Sequence, residues 1–178
     1  MHNFVFILLA VFMMSHSTVA VSEQSSSEID NGLSMLIGEW TVSEEIAMRP
    51  DRPKLKGKGK AYTKWGPGKN SVIIEYQTIE GPLKGFSLTE VISKEAEEGE
   101  FSLAWVDSFT SGIKIRKGTK LKDGSFQFTS DVVRNGEKIK VVSIIKSIHN
   151  SFNISTFHQR LNEEPTLFMS LTHTPSKE

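Results

Sequence analysis

The chain has 178 residues, with 21 lysines and arginines against 21 aspartates and glutamates, and it contains no cysteine. The balanced charge excludes a global electrostatic attraction to nucleic acid. The lack of cysteine excludes disulfides, zinc–thiolate sites and a thiol nucleophile. A chain of this length is expected to form one domain whose core needs no covalent support.

The first 20 residues predict a cleaved secretory signal peptide. The apolar stretch over residues 4–14 is too short to span a bilayer, and small side chains follow it up to a cleavage site after Ala20. Residues 21–27 are Ser-rich and are expected to be a flexible lead-in, and a single barrel domain is expected over residues 28–178. The protein is therefore predicted to be secreted or periplasmic, with an uncleaved N-terminal anchor as the alternative.

A short helix is predicted next, over residues 28–37. Ile29, Leu33 and Leu36 follow the spacing of one helical face. Ser27 is a good N-cap residue, and Gly38 is well placed just after the C-terminal end of the predicted helix.

Ten short runs of alternating apolar and polar residues follow, separated by Gly, Pro, Asn and Asp turns such as Asn135-Gly136. These connections are too short for parallel crossovers. The pattern predicts an all-β fold, an antiparallel up-and-down β-barrel of about ten strands with a short N-terminal helix. In the sixth strand, Ile113 and Ile115 define the apolar face. The predicted strands span residues 39–48, 54–65, 71–79, 85–93, 100–107, 112–118, 125–134, 137–148, 152–160 and 166–173.

Two sequence motifs resemble a known family. Gly38-Glu39-Trp40 is similar to the Gly-x-Trp that opens lipocalin-like barrels, and the tetrapeptide from Trp105 to Ser108 (Trp-Val-Asp-Ser) resembles a signature of domain-of-unknown-function family 1579. The resemblance implies a lipocalin-like, calycin-type barrel and gives no catalytic residues. In lipocalin-like folds an arginine stacks on the first-strand tryptophan, and Arg160 is the candidate for that contact with Trp40.

Polar groups lie on otherwise apolar strand faces at Glu44, Glu90, Asp107, His158 and His173. A buried carboxylate must be paired, hydrogen-bonded or neutral. Glu44 and Glu90 lie mid-strand and are expected to face the interior. Asp107 and His173 lie near strand ends and are expected to reach solvent, and Asp107 is also a candidate to cap the turn at Ser108.

These features predict a module that binds a small apolar or amphipathic molecule without catalysis, because a pocket is mainly apolar with a few placed polar groups. The predicted ligand-binding residues are Glu44, Tyr76, Glu90, Trp105 and His158. One alternative is a barrel filled by its own side chains and acting through its surface. Another is a haem- or metal-binding barrel through His158 or His173. An enzyme is the least favoured class, because there is no nucleophile motif and no metal signature.

The wider set of expected lining residues is apolar or aromatic and comprises Trp40, Val42, Tyr76, Phe86, Leu88, Phe101, Trp105, Phe128, Phe152 and Met169.

The second predicted strand carries lysines on one face, expected to point outward, at Lys54, Lys56, Lys58 and Lys60. They indicate a solvated face that blocks edge pairing or, alternatively, a contact with an anionic surface. On the opposite face, Gly57 and Gly59 leave interior space or mark a bulge. Asn153-Ile154-Ser155 is a glycosylation sequon whose use is doubtful in mid-strand.

Overall fold

A closed ring of ten antiparallel strands forms the protein, as shown by a computed structural model. The structure describes residues 32–47, 52–134 and 136–177. Each strand pairs with its neighbours in sequence, and β10 returns to pair with β1. The strands are β1 (Gly38–Ile46), β2 (Leu55–Trp65), β3 (Ser71–Glu80), β4 (Ser87–Lys94), β5 (Glu100–Asp107), β6 (Lys114–Lys120), β7 (Phe126–Arg134), β8 (Glu137–Ile148), β9 (Ser151–Arg160) and β10 (Thr166–Pro175).

The predicted strands are confirmed in number and order, with ends that differ by at most two residues within the described ranges. The predicted helix over residues 28–37 is not shown. Its described part is a four-residue 3-10 helix, Leu33–Leu36. Its first residues, like the predicted signal peptide, lead-in, Met48 and Asn135, lie outside the described residues. No helix in the described part of the chain is long and apolar enough to cross a membrane.

One end of the barrel is closed by apolar packing. The 3-10 helix buries Leu33 and Leu36 there, and the indole N–H of Trp40 donates to the Leu36 carbonyl at 3.0 Å. Trp40 packs edge-on against Phe152, with ring centroids 4.9 Å apart. Gly38, at a φ of 142°, lies against the indole, so the Gly-x-Trp motif holds the short helix against the barrel.

The expected contact between Arg160 and Trp40 is wrong. Trp40 lies at the start of β1, whereas Arg160 lies at the end of β9. Because β1 and β9 run parallel across the intervening β10, these positions are at opposite ends of the barrel. Arg160 is exposed and pairs instead with Glu137 and Glu163.

The face assignment of β6 is also wrong. Ile113 and Ile115 are 70% and 63% exposed, and Arg116 is buried in their place. Directly opposed residues of an antiparallel pair point to the same face, and Arg116 opposes the buried Leu103. The ladder with β5 therefore turns the cationic face of β6 inward.

Candidate functional site

The barrel interior changes character along its axis. Above the apolar closed end lies a layer of buried polar side chains, and at the other end several inward-facing apolar side chains are only partly buried. We call this second end the mouth. The polar layer comprises Glu44, Thr78, Glu90, Arg116, Ser143 and Thr156. The partly buried apolar residues of the mouth are Phe86, Leu88, Trp105 and Met169.

Glu44 and Tyr76 form the first polar group of this layer. Glu44 is 3% exposed on β1 and accepts a hydrogen bond from the Tyr76 hydroxyl on β3. Thr78 Oγ1 lies 3.1 Å from the same hydroxyl. Burial raises the pKa of Tyr76 above its ordinary value, and the bond to Glu44 adds to the rise. Tyr76 therefore stays a neutral hydrogen-bond donor at physiological pH.

Gly57 and Gly59 of β2 make room for this pair. A Cβ at Gly57 would lie 2.6 Å from Glu44 Oε2, and a Cβ at Gly59 would lie 2.5 Å from the ring of Tyr76. The ladder between β2 and β3 also shifts register between Lys58 and Gly59. Both expectations for the two glycines, interior space and a bulge, are thus met.

Glu90 and Arg116 form the second polar group. Glu90 lies on β4, and burial raises the pKa of its carboxyl to about 7, opposed by the positive charge of Arg116. Burial lowers the pKa of Arg116 to about 10, so the guanidinium keeps its charge. Its Nη1 donates to Ser143 of β8, whose hydroxyl lies 2.9 Å from that of Thr156. Among the described residues the Glu90 carboxyl, 6% exposed, has no hydrogen-bond partner.

Trp105 connects the polar layer to the mouth. The Arg116 guanidinium lies 3.9 Å from the centroid of the Trp105 ring, and the ammonium of Lys114 lies at 5.3 Å. Cations on an indole face are stabilised by its quadrupole, the more so when desolvated. The indole N–H donates to Asp107 at 3.0 Å, which fixes the ring against the two cations.

Asp107 organises the loop that follows β5. Its carboxylate accepts bonds from the backbone N–H groups of Phe109 and Thr110 and from Lys114 Nζ. Burial acts to raise the pKa of Asp107, but these hydrogen bonds hold that pKa below its ordinary range. The expected turn-capping role is confirmed, but the side chain is 7% exposed rather than open to solvent. Ser108 ties the loop to Ser87 through two hydrogen bonds.

The two histidines stack on phenylalanines. His173 is 1% exposed and stacks on Phe152 with ring centroids 4.0 Å apart, so the expectation that it reaches solvent is wrong. His158 is half-buried near the mouth and stacks on Phe168 at 4.3 Å. Burial lowers the pKa of both, that of His173 to about 4. Across the described residues no three His, Asp or Glu side chains are grouped for a metal ion. Haem binding stays a prediction.

The outer wall carries the lysine row of β2. Lys56, Lys58 and Lys60 are exposed, as is Lys54 just before the strand. Lys54 and Lys56 lie near Glu45, and Lys58 pairs with Glu80. The barrel is closed and β2 has neighbours on both sides, so β2 has no free edge for these lysines to block. Contact with an anionic surface stays a prediction.

The outer surface has two further features. The Asn153 amide of the sequon donates to Ser170 and Thr172 across the ladder, so its nitrogen is engaged within the sheet. A groove across β1 to β4 is lined mainly by exposed, outward-facing side chains, including Thr41 and Lys60. The buried charges lie inside, and the candidate site is therefore the interior.

The five predicted site residues all point inward but do not form one cluster. Glu90 and Trp105 are directly opposed on neighbouring strands, whereas Glu44 and Tyr76 form the separate group on β1 and β3. Sequence reasoning missed Arg116 and Lys114, because the apolar pattern assigned them to the outer face. The signal that could have found them is the β5–β6 register, which places Arg116 opposite Leu103. That register follows from how the two strands pair, and the alternation within β6 does not contain it.

Comparisons with known proteins agree with this architecture. The model of the family described as "Protein of unknown function (DUF1579)" matches residues 27–174, which confirms the predicted family resemblance. No curated protein matches the chain. Among solved structures, the crystal structure of Rv2717c from M. tuberculosis is similar, with a TM-score of 0.58 at 13% identity, over 84% of this chain and 98% of that one. At that identity the likeness shows the fold alone.

Proposed function

Since the chain belongs to the DUF1579 family, whose function is unknown, we propose a role from the interior itself: the barrel binds a small amphipathic molecule. The supporting observation is the arrangement of Glu90 and Arg116. Both are buried in the polar layer, directly below the partly buried apolar side chains of the mouth. Apolar walls with a few placed polar groups are typical of small-molecule sites.

The interior residues have distinct roles in this proposal. The apolar part of the ligand lies against Leu88, Trp105 and Met169, and its polar part faces Glu90 and Arg116. A buried carboxyl and guanidinium without full hydrogen bonding are costly. A ligand that supplies the missing partners recovers part of that cost. The Glu44 carboxylate and the Tyr76 hydroxyl already bond each other. We therefore assign this pair a structural role in the polar layer.

Export is proposed as the setting for this activity. The support is the apolar stretch over residues 4–14 and the small residues before Ala20. Mass measurement of the protein isolated from its own host tests it, since cleavage removes the first 20 residues.

Native mass spectrometry of the protein from its host, before and after denaturing extraction, tests for a bound molecule. A stoichiometric extra mass that disappears on extraction supports the proposal. A bare mass, followed by no binding in titrations with long-chain carboxylates and alcohols, favours the barrel that is filled by its own side chains.

A matched pair of variants then tests where the ligand lies. Leu88→Trp adds an indole inside the mouth, and Val106→Trp adds the same group on the outer face, where Val106 is 46% exposed. Filling the interior is expected to weaken binding at least about tenfold, which is about 1.4 kcal/mol. The outer variant is expected to bind normally. Equal affinity of the two variants would contradict an interior site.

A further inference from the structure

The ladder between β6 and β7 covers only part of the two strands. The two strands pair at only four positions, from Lys117 opposite Thr129 to Lys120 opposite Phe126. Beyond that point, β6 still pairs with β5 as far as Lys114, and β7 still pairs with β8 as far as Arg134. Residues 114–116 and 130–134 therefore have no ladder partner across this gap, which we call the slot.

The edges of the slot carry exposed apolar side chains. Ile115 is 63% exposed on the β6 side, and Val132 and Val133 are 39% and 77% exposed on the β7 side. Ile113, 70% exposed, precedes β6 at the same edge. Exposed apolar strand edges invite misassociation and are usually blunted by charge or proline. Apolar side chains on both edges indicate a surface that an apolar chain contacts.

The inner side of the slot is formed by Arg116. Its side chain starts on the unpaired part of β6, and its guanidinium reaches Ser143 on β8, so it crosses the inner face of β7. A guanidinium has five N–H donors, and among the described residues Ser143 is its one hydrogen-bond acceptor. The positive charge is buried on the inner side of the strand that borders the slot, and it can receive an anionic group.

We propose that the slot is the entrance to the interior for an amphiphile with an anionic head group, which passes between Ile115 and Val132 on its way in and then binds Arg116 through its head group. The inference rests on the proposed function, because it adds a route and a head-group charge to the same ligand. The mouth is a less direct route, since Phe109 from the β5–β6 loop lies over Phe86 with ring centroids 5.0 Å apart.

The absence of cysteine makes the route testable by cross-linking. Continuing the β6–β7 register places Ile115 opposite Asp131, so the pair Ile115→Cys and Asp131→Cys can be bridged across the slot with a short bis-thiol reagent. The matched control bridges Lys117→Cys and Thr129→Cys, which are already paired on the same strands. The anionic probe is 1-anilinonaphthalene-8-sulfonate, followed by stopped-flow fluorescence.

Bridging the slot is expected to slow association of the probe at least about tenfold while the equilibrium Kd changes less than about threefold, because a route affects rates and not the bound state. The control bridge is expected to leave the rate unchanged. Equal association rates for the two bridged proteins, with binding retained, overturn the entrance and leave the proposed function standing. No binding of the probe to the unmodified protein overturns both.

The head-group assignment has its own test. Arg116→Met is expected to weaken binding of the anionic probe at least about tenfold and to leave neutral N-phenyl-1-naphthylamine within about threefold, since only the anion needs the guanidinium. Arg116→Lys keeps the charge and is expected to retain the preference for the anion. Equal losses for both probes in the Met variant, or loss of the preference in the Lys variant, overturn the assignment.

Discussion

Replacing Glu90 with Gln is expected to change how the free energy of unfolding depends on pH. In the folded protein, burial raises the pKa of this carboxyl to about 7 from an ordinary 4.5. Each factor of ten in an ionisation equilibrium is worth about 1.4 kcal/mol, so ionising Glu90 costs the folded state about 3 kcal/mol. Gln has the same shape and never ionises, so this cost is absent from the variant.

The sign follows from proton linkage. A carboxyl whose folded pKa is raised binds more protons when folded than when unfolded between pH 4.5 and about 7. Its contribution to stability is present in full below pH 4.5 and is lost as the pH rises through about 7. The wild type is therefore expected to lose about 2–3 kcal/mol relative to Glu90→Gln between pH 5 and pH 8.

The comparison must be made between the two proteins and not along one curve, because His173 acts in the opposite direction. Its pKa is lowered to about 4 by burial, so its contribution grows as the pH rises from 4 towards 6.5. The charged group that faces Glu90 is Arg116, which keeps its charge throughout this range.

Urea unfolding followed by far-UV circular dichroism, at pH 5, 6, 7 and 8, measures the difference. At pH 5 the two proteins are expected to agree within about 1 kcal/mol, and at pH 8 the variant is expected to be more stable. A constant difference across the four pH values would refute a buried, weakly compensated Glu90.

Three further outcomes are expected. Tyr76→Phe removes the donor to Glu44 and should lower the free energy of unfolding by about 1–3 kcal/mol, whereas Tyr62→Phe, 47% exposed, should change it little; denaturant titration of both variants checks this. Gly59→Ala places a Cβ against the Tyr76 ring and should cost about 1–3 kcal/mol; an unchanged midpoint would show that the ring moves freely. The wild type is expected to lose about 3 kcal/mol of stability through His173 as the pH falls from 6.5 to 4, and His173→Met should not show this loss; thermal unfolding at those two pH values measures the difference.

The strand pattern of this chain is largely determined by local sequence. Turns rich in Gly, Pro, Asn and Asp separate the runs, and alternation within a run assigns one side to the core. Short connections leave each strand only its sequence neighbours as partners, so the meander and its closure follow. The inward position of Glu44 and Glu90 follows from the same alternation, because each lies in phase with buried apolar residues on its strand.

The N-terminal segment shows where the local pattern was insufficient. Leu33 and Leu36 have helical spacing, yet the described segment is a single 3-10 turn. The Trp40 indole holds this turn in place, since it donates to the Leu36 carbonyl and packs on Phe152. Packing over the barrel end, rather than helix propensity, decides the form of this segment.

The site itself was decided by tertiary structure. Ile113 and Ile115, just before and near the start of β6, alternate with lysine, and alternation alone points them inward. The ladder with β5 places Arg116 opposite Leu103 instead, and opposed residues share a face. That register brings the guanidinium over Trp105, towards Glu90 and behind the slot. Sequence therefore determined that a ten-stranded barrel forms and which carboxylates lie inside it. The position of Arg116, the charge that faces Glu90, was decided by strand register, because a strand's period is two and a shift of one residue exchanges its faces.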